Sequence, residues 1–331
     1  MTRSTRIMRK QSNRIRAGVA GLLACWAIGA SAQSLGLSGY RLTGNYALAT
    51  LGEMGLEASA VTFAKDRGSL FFVGDEGLGV VEISLTGATL GSMAFNWAGT
   101  GSTNNDAEGL TYLGGGQLVL VDERPQRAYR FSYQAGGTVA LGSTPFATIS
   151  NYSPSNIGIE GISVDARDGG FVTVKQDSDN NPARGPQEVR AGQLSFAQGG
   201  GSTSIPVLFD AALLGLNSLT DVQTLSSVDR FVGTAAADNL LILSLDSRKL
   251  VEVTRSGQIV GSLDIAGLTN QAIEGVTIDN LGTIYLVAED SGTPNSRLFV
   301  LTPVPEPGTW AMMAGGLALL GWQARRRRRG G

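Results

Sequence analysis

Acidic residues recur at one place in a repeated phrase of this chain. Hard oxygen donors gathered that way could hold calcium, which takes about six to eight oxygen ligands. The clearest instance is residues 106–124, DAEGLTYLGGGQLVLVDER: Asp106 and Glu108 open an apolar run, Gly114 to Gly116 make a turn, and a second run ends on Asp122 and Glu123. This pattern predicts two antiparallel strands joined by a tight hairpin. The first residues of one strand and the last of the other then share an edge, which should gather Asp106, Glu108, Asp122 and Glu123. Arg124, Lys175 and Arg248 are expected near the same edge, where they could hold a negative group while a metal polarises it.

The elements that must position these acids are legible as a repeat. Residues 159–165 (IEGISVD) and 273–279 (IEGVTID) restate the phrase, and residues 58–63 and 219–224 are weaker copies. A period near fifty residues built from strands, with no helical periodicity, predicts an all-β protein, a β-propeller. Five blades are expected, or six if the approach from 193 to 218 hides another. A short strand at residues 40–43 has no hairpin partner in sequence and should close the last blade, leaving no open sheet edge. The ring would bring Glu108, Glu160, Asp221 and Glu274 around the mouth of an axial channel, with Asp122 and Glu123 behind them. The plainer alternative is that these acids accept backbone N–H groups from neighbouring blades and tie the ring together. A second calcium-like series, Asp177, Asp179 and Asn181 with Glu188, has Pro182 where such a loop needs glycine, and reads as a solvated loop.

The two ends have a different character. Six basic residues precede an apolar run from 17 to 28, and Ala30-Ser31-Ala32 gives a small-x-small cleavage pattern before Gln33, so residues 1–32 read as an export signal for signal peptidase. A lipobox at Cys25 is the rival reading. Cys25 is the single cysteine and the chain has no histidine, which excludes disulfides, His or Cys nucleophiles and zinc sites built on them. With both ends set aside, 15 basic residues face 27 acids over residues 33–304, a net charge near −12. Nucleic acid is not an expected partner; cations are.

The phrases DAEGLTYLGGGQLVLVDER, NIGIEGISVD, LILSLDSRKLVEVTRSGQIV and QAIEGVTIDNLGTIYLVAED resemble the SdiA-regulated family of bacterial β-propellers across residues 33–303. The resemblance implies a secreted or envelope-associated propeller, distantly similar to phytase-like and esterase-like ones. Where such proteins tend to follow a lysine with glutamate, this chain has Lys175 then Gln176. Residues 304–331 carry a second resemblance. Pro305-Glu306-Pro307, an apolar run over residues 308–323 and the arginines 325–329 are similar to the PEP-CTERM sorting signal. The run is short for a transmembrane helix, and the arginines favour the cytoplasmic side. That resemblance implies processing by an exosortase and delivery to the cell surface or the exopolysaccharide (biofilm) matrix.

The functional expectation is a non-catalytic propeller at the cell envelope that binds a small ligand, glycan or partner at its mouth. The alternative is a calcium-dependent phosphatase- or esterase-like hydrolase. No phosphate-binding loop, dinucleotide fingerprint or serine nucleophile elbow accompanies it.

Overall fold

In the computed structural model, residues 34–202, 205–290, 293–304 and Gly316 are described. The export signal, Pro305 to Pro307 and the apolar run, Gly316 apart, with its arginine tail therefore lie outside the described residues. Among the described residues no helix is long and apolar enough to cross a membrane.

The chain begins with β1 (Tyr40–Ala47) and then builds five sheets. Blade one is β2 (Ala58–Ala64), β3 (Ser69–Gly74), β4 (Gly79–Ile83) and β5 (Thr89–Asn96). Blade two is β6 (Ala107–Gly114), β7 (Gln117–Asp122) and β8 (Arg127–Ser132); β9 (Thr138–Ala140) then crosses to lie parallel on β5, and β10 (Phe146–Thr148) returns to β8. Blade three has β11 (Ile159–Val164), β12 (Phe171–Lys175) and β13 (Glu188–Gly192). The short β14 (Gly201–Ser202) runs parallel to β10, and β15 (Val207–Asp210) completes blade three beside β13. Blade four is β16 (Leu219–Thr224), β17 (Leu240–Ser244), β18 (Lys249–Val253) and β19 (Ile259–Asp264). Blade five is β20 (Ile273–Ile278), β21 (Ile284–Ala288) and β22 (Arg297–Pro303), with β1 as its fourth strand.

The expected closure is thus observed. β1 pairs antiparallel with β22 from Tyr40↔Pro303 to Ala47↔Arg297, and it is longer than the four residues expected. There are five blades, because β14 and β15, in the stretch that could have hidden a sixth, are the outermost strands of blades two and three. Between β16 and β17 the chain turns through a 3-10 element, Asp229–Phe231, which buries Phe231.

The pattern of apolar residues explains this layout. Second strands such as β3 and β17 are buried along their whole length, and read as continuous apolar runs because neighbouring blades cover both faces. The outer β19 and β1 alternate in burial, as strands with one wet face do. Five apolar clusters follow, one at each seam between successive blades, including the seam of blade five with blade one.

Candidate functional site

The five first strands, β2, β6, β11, β16 and β20, line the axis. Each opens with a register shift against its second strand, and the residues skipped are Ser59, Glu108, Glu160, Thr220 and Glu274. A bulge of this kind re-aims one side chain out of the pleat. The glycines that follow serve a related need. A Cβ on Gly109 would lie 2.7 Å from the Glu160 carbonyl oxygen, and one on Gly161 2.6 Å from the Asp221 Cα, so glycine lets adjacent first strands approach at the axis. Left-handed residues outside glycine, Glu57 (φ 46°), Asn105 (φ 63°) and Ser218 (φ 57°), lead into β2, β6 and β16 at this same end.

Glu108, Glu160 and Glu274 converge there electrostatically. Glu108 is 9% exposed and hydrogen-bonds to nothing among the described residues. Burial first, then the charges of Glu274, Asp75, Glu123 and Asp106, pushes its carboxyl well above the usual range. Glu160 is raised by burial and by Glu108, Glu123 and Glu274, and it shares a hydrogen bond with Glu123. Glu274, half-buried, is raised by burial and by Glu289, to which it is hydrogen-bonded. Two carboxyl groups attract only when one of them carries a proton, so the raised carboxyls of the mouth favour proton sharing between Glu160 and Glu123 and between Glu274 and Glu289, with Glu108 among them. Glu123 is pushed up to about 7 by burial, although its Oε1 accepts the Gly158 N–H at 2.7 Å.

The rim extends beyond the expected set. Burial and then Asp106, Glu289 and Glu76 raise Asp75 to about 6. Glu57, which sequence reasoning missed, is raised to about 7 by burial followed by Glu289, Glu76, Asp290 and Asp75. Its one signal in the sequence is its place just before the weak copy at residues 58–63. Asp75 and Glu289 end second strands as Glu123 follows β7, which marks them as members of the same edge.

Two expected residues are placed differently. Asp221 sits one position after the bulged Thr220, where other copies carry glycine or alanine. Its Oδ1 accepts the Val222 N–H at 2.8 Å and its Oδ2 the Val276 N–H of blade five at 2.7 Å. It joins two blades, and burial alone raises its carboxyl, with no like charge contributing. Asp122 shares the hairpin edge but turns to the 97–106 loop, where Oδ1 accepts from Ser102 at 3.1 Å and Oδ2, fully buried, has no partner. Burial pushes it up to about 7.

The cations are engaged. Arg124 bonds Asp106 and Asn156, buried Lys175 donates to the Asp177 carbonyl, and Arg248 donates to the carbonyls of Thr269 and Gln271. The 177–184 loop satisfies itself: Asp179 takes the Asn181 N–H and an Arg184 ion pair, and Asn181 caps Ala183. Among the described residues no three acids stand close enough to hold a metal as placed.

Further along the same strands, Ser and Thr close the ring. Thr62 accepts the Tyr112 N–H, Thr111 that of Val164, Ser163 that of Thr224 and Thr277 that of Phe63, all at 3.0–3.1 Å. Thr277 also donates to Gln223 Oε1 at 2.9 Å, linking blades four and five. Beyond this belt, at the end opposite the acids, lies a cavity of about 490 Å³ whose lining includes Phe63, Tyr112, Leu113, Val164, Gln223 and Ile278, contributed by all five blades.

Fold and site together define a closed five-bladed propeller with an acidic mouth and an uncharged belt behind it. The family model for SdiA-regulated proteins matches residues 32–299, and the chain belongs to that family. The PEP-CTERM protein-sorting motif matches residues 303–329, which implies export to the cell envelope and processing by an exosortase. Similar solved structures are also β-propellers. The Cps50 (Swd1) domain of Myceliophteria thermophila is 13% identical with TM-score 0.37, over 76% of this chain, which spans 66% of that domain. A luciferin-regenerating enzyme is 11% identical with TM-score 0.46 (79% of this chain, 95% of that one), and the gluconolactonase XC5397 of Xanthomonas campestris is 13% identical with TM-score 0.40 (76% and 88%).

Proposed function

We propose that the protein is a non-catalytic binding propeller, sorted to the cell surface or exopolysaccharide matrix, that takes a cationic ligand at its acidic mouth, with calcium as the simplest one. The observation that supports this most is Glu108: a carboxyl less than a tenth exposed, surrounded by other carboxyls and with no hydrogen-bond donor among the described residues. Gathering acids in a poorly solvated place destabilises a fold unless something compensates. In this reading the compensation is protons shared between the carboxyls, and a cation entering between Glu108, Glu160, Glu274 and the acids behind them would displace those protons. The donors are all oxygen, as calcium prefers, and water can supply the remaining ligands. Hydrolysis has less support, because Arg124, Lys175 and Arg248 are all committed to internal partners.

Thermal unfolding with and without calcium tests the reading. A ligand that binds only the folded state at a hundred times Kd adds about 2.7 kcal/mol, several degrees of melting temperature for a body of this size. Glu108→Gln with Glu274→Gln should abolish that rise. Identical melting curves in EDTA and in millimolar calcium would contradict it.

A further inference from the structure

The place where the chain leaves the propeller has a consequence for orientation. β20 runs from the acidic mouth to the cavity end, β21 returns, and β22 runs to the cavity end again. Its last residue, Pro303, pairs with Tyr40, and the Val304 N–H bonds the Gly39 carbonyl at 3.0 Å. Tyr40 Oη in turn donates to the Gly282 carbonyl at 2.6 Å, in the turn between β20 and β21, and Arg230 donates to the Leu35 carbonyl at 3.2 Å. Both ends of the described body therefore sit beside the turns that rim the cavity, opposite the acids.

The reach from that point is short. The sorting match starts at Pro303, inside β22, and the apolar run begins at Gly308. Four residues of fully extended chain span at most roughly 14 Å. The polar layer on each side of a bilayer is about 5–7 Å thick, so a chain still held by its apolar segment has almost no free tether.

An independent feature lies on the same face. Leu281 and Val232 are 74% and 67% exposed, the two most exposed large apolar side chains among those described. They are neighbours in the fold, since the Asp229 N–H bonds the Asn280 carbonyl at 2.8 Å and Asn280 donates to Asp229 at 2.7 Å. Lys65 pairs with the same Asp229, and Arg230 adjoins it. Exposed apolar tips of this kind can enter the headgroup region of a bilayer, and the charges beside them, Lys65 with Asp229, Arg230, and Asp66 and Asp165 of the cavity lining, carry both signs.

From the exit point, the tether length and these side chains, we infer that the unprocessed protein lies with its cavity face, including Leu281 and Val232, against the membrane surface, its acidic mouth pointing away. The cavity is then covered until the sorting segment is cut, while the mouth is open throughout. The inference rests on the sorting reading above, but it concerns the chain before cleavage.

Cysteine accessibility tests it, because Cys25 is the only natural cysteine. The full chain with Cys25→Ser receives either Leu281→Cys on the cavity face or Glu76→Cys at the exposed turn beside the mouth. Each is reconstituted in liposomes and labelled with a bulky polyethylene-glycol maleimide, alongside the same variants ending at Val304. Labelling tracks the population in which a face is uncovered, so Leu281→Cys should react about tenfold more slowly in the anchored chain, with Glu76→Cys unchanged. Equal rates at Leu281→Cys in the two forms, or protection of Glu76→Cys, would overturn the inference. Protection seen only in exosortase-containing cells and not in liposomes would also overturn it, assigning the face to the enzyme. Whether the tail is cut at all is read separately by intact mass, so failure of sorting and failure of orientation are distinguishable.

Discussion

Asp221 and Glu108 are both buried acids at the start of a first strand, and they do opposite things. Asp221 gives each oxygen a backbone N–H, one from the next blade, and so belongs with Thr62, Thr111, Ser163 and Thr277 to the bonds that close the ring. Glu108 has carboxyls for neighbours and no donor. Like charge contributes nothing to the raised carboxyl of Asp221 and much to that of Glu108. The difference teaches that acids at the same end of the first strands play two parts: Asp221 helps close the ring, whereas Glu108 is held under electrostatic stress, which a fold retains where the stress is relieved by binding.

The largest effect should come from Asp221→Ala, which strands the N–H groups of Val222 and Val276 in the core. At about 1–3 kcal/mol for each buried unpaired group, chemical denaturation should show a loss of roughly 2–6 kcal/mol. Thr62→Val, which orphans only the Tyr112 N–H, should cost about 1–3 kcal/mol by the same reasoning. If Glu108→Gln proved as costly as Asp221→Ala, the two acids would not differ as described.

A smaller effect is expected from pH. Asp75, Glu57, Asp122 and Glu123 have folded values of about 6 to 7, above those of an unfolded chain. The folded state therefore binds protons more tightly than the unfolded one. That stabilisation is complete below about pH 4, the unfolded carboxyl range, and is lost as pH rises through the folded values near 6–7. Stability measured by denaturant should fall between pH 5 and pH 8 without a cation, and saturating calcium should flatten the fall. A stability that rises over that interval would break the contrast, because it would mean the mouth acids ionise more readily in the folded chain than in the unfolded one.

The sequence shows much of this. The repeated Glu-Gly phrase pointed to five blades, with six left open, and to the end at which Glu108, Glu160, Glu274 and Glu123 meet, and the unpartnered strand at residues 40–43 pointed to the closure. It could not show that Asp221 stands one residue out of step, since an approximate repeat spacing does not say whether Thr220 or Asp221 occupies the bulge. The strands β13 to β15 escaped notice because they are two to five residues long and only partly buried, with little periodicity to read. The turn of Asp122 away from the mouth depends on a loop, residues 97–106, whose path no local pattern fixes.

The most direct test of the central claim is proton release. If the mouth acids hold shared protons in place of a cation, adding calcium to the unbuffered protein at pH 7 should release protons in proportion to calcium bound, and Glu108→Gln with Glu274→Gln should release none. Calcium binding with no proton release, or proton release unchanged in the double variant, would contradict the account.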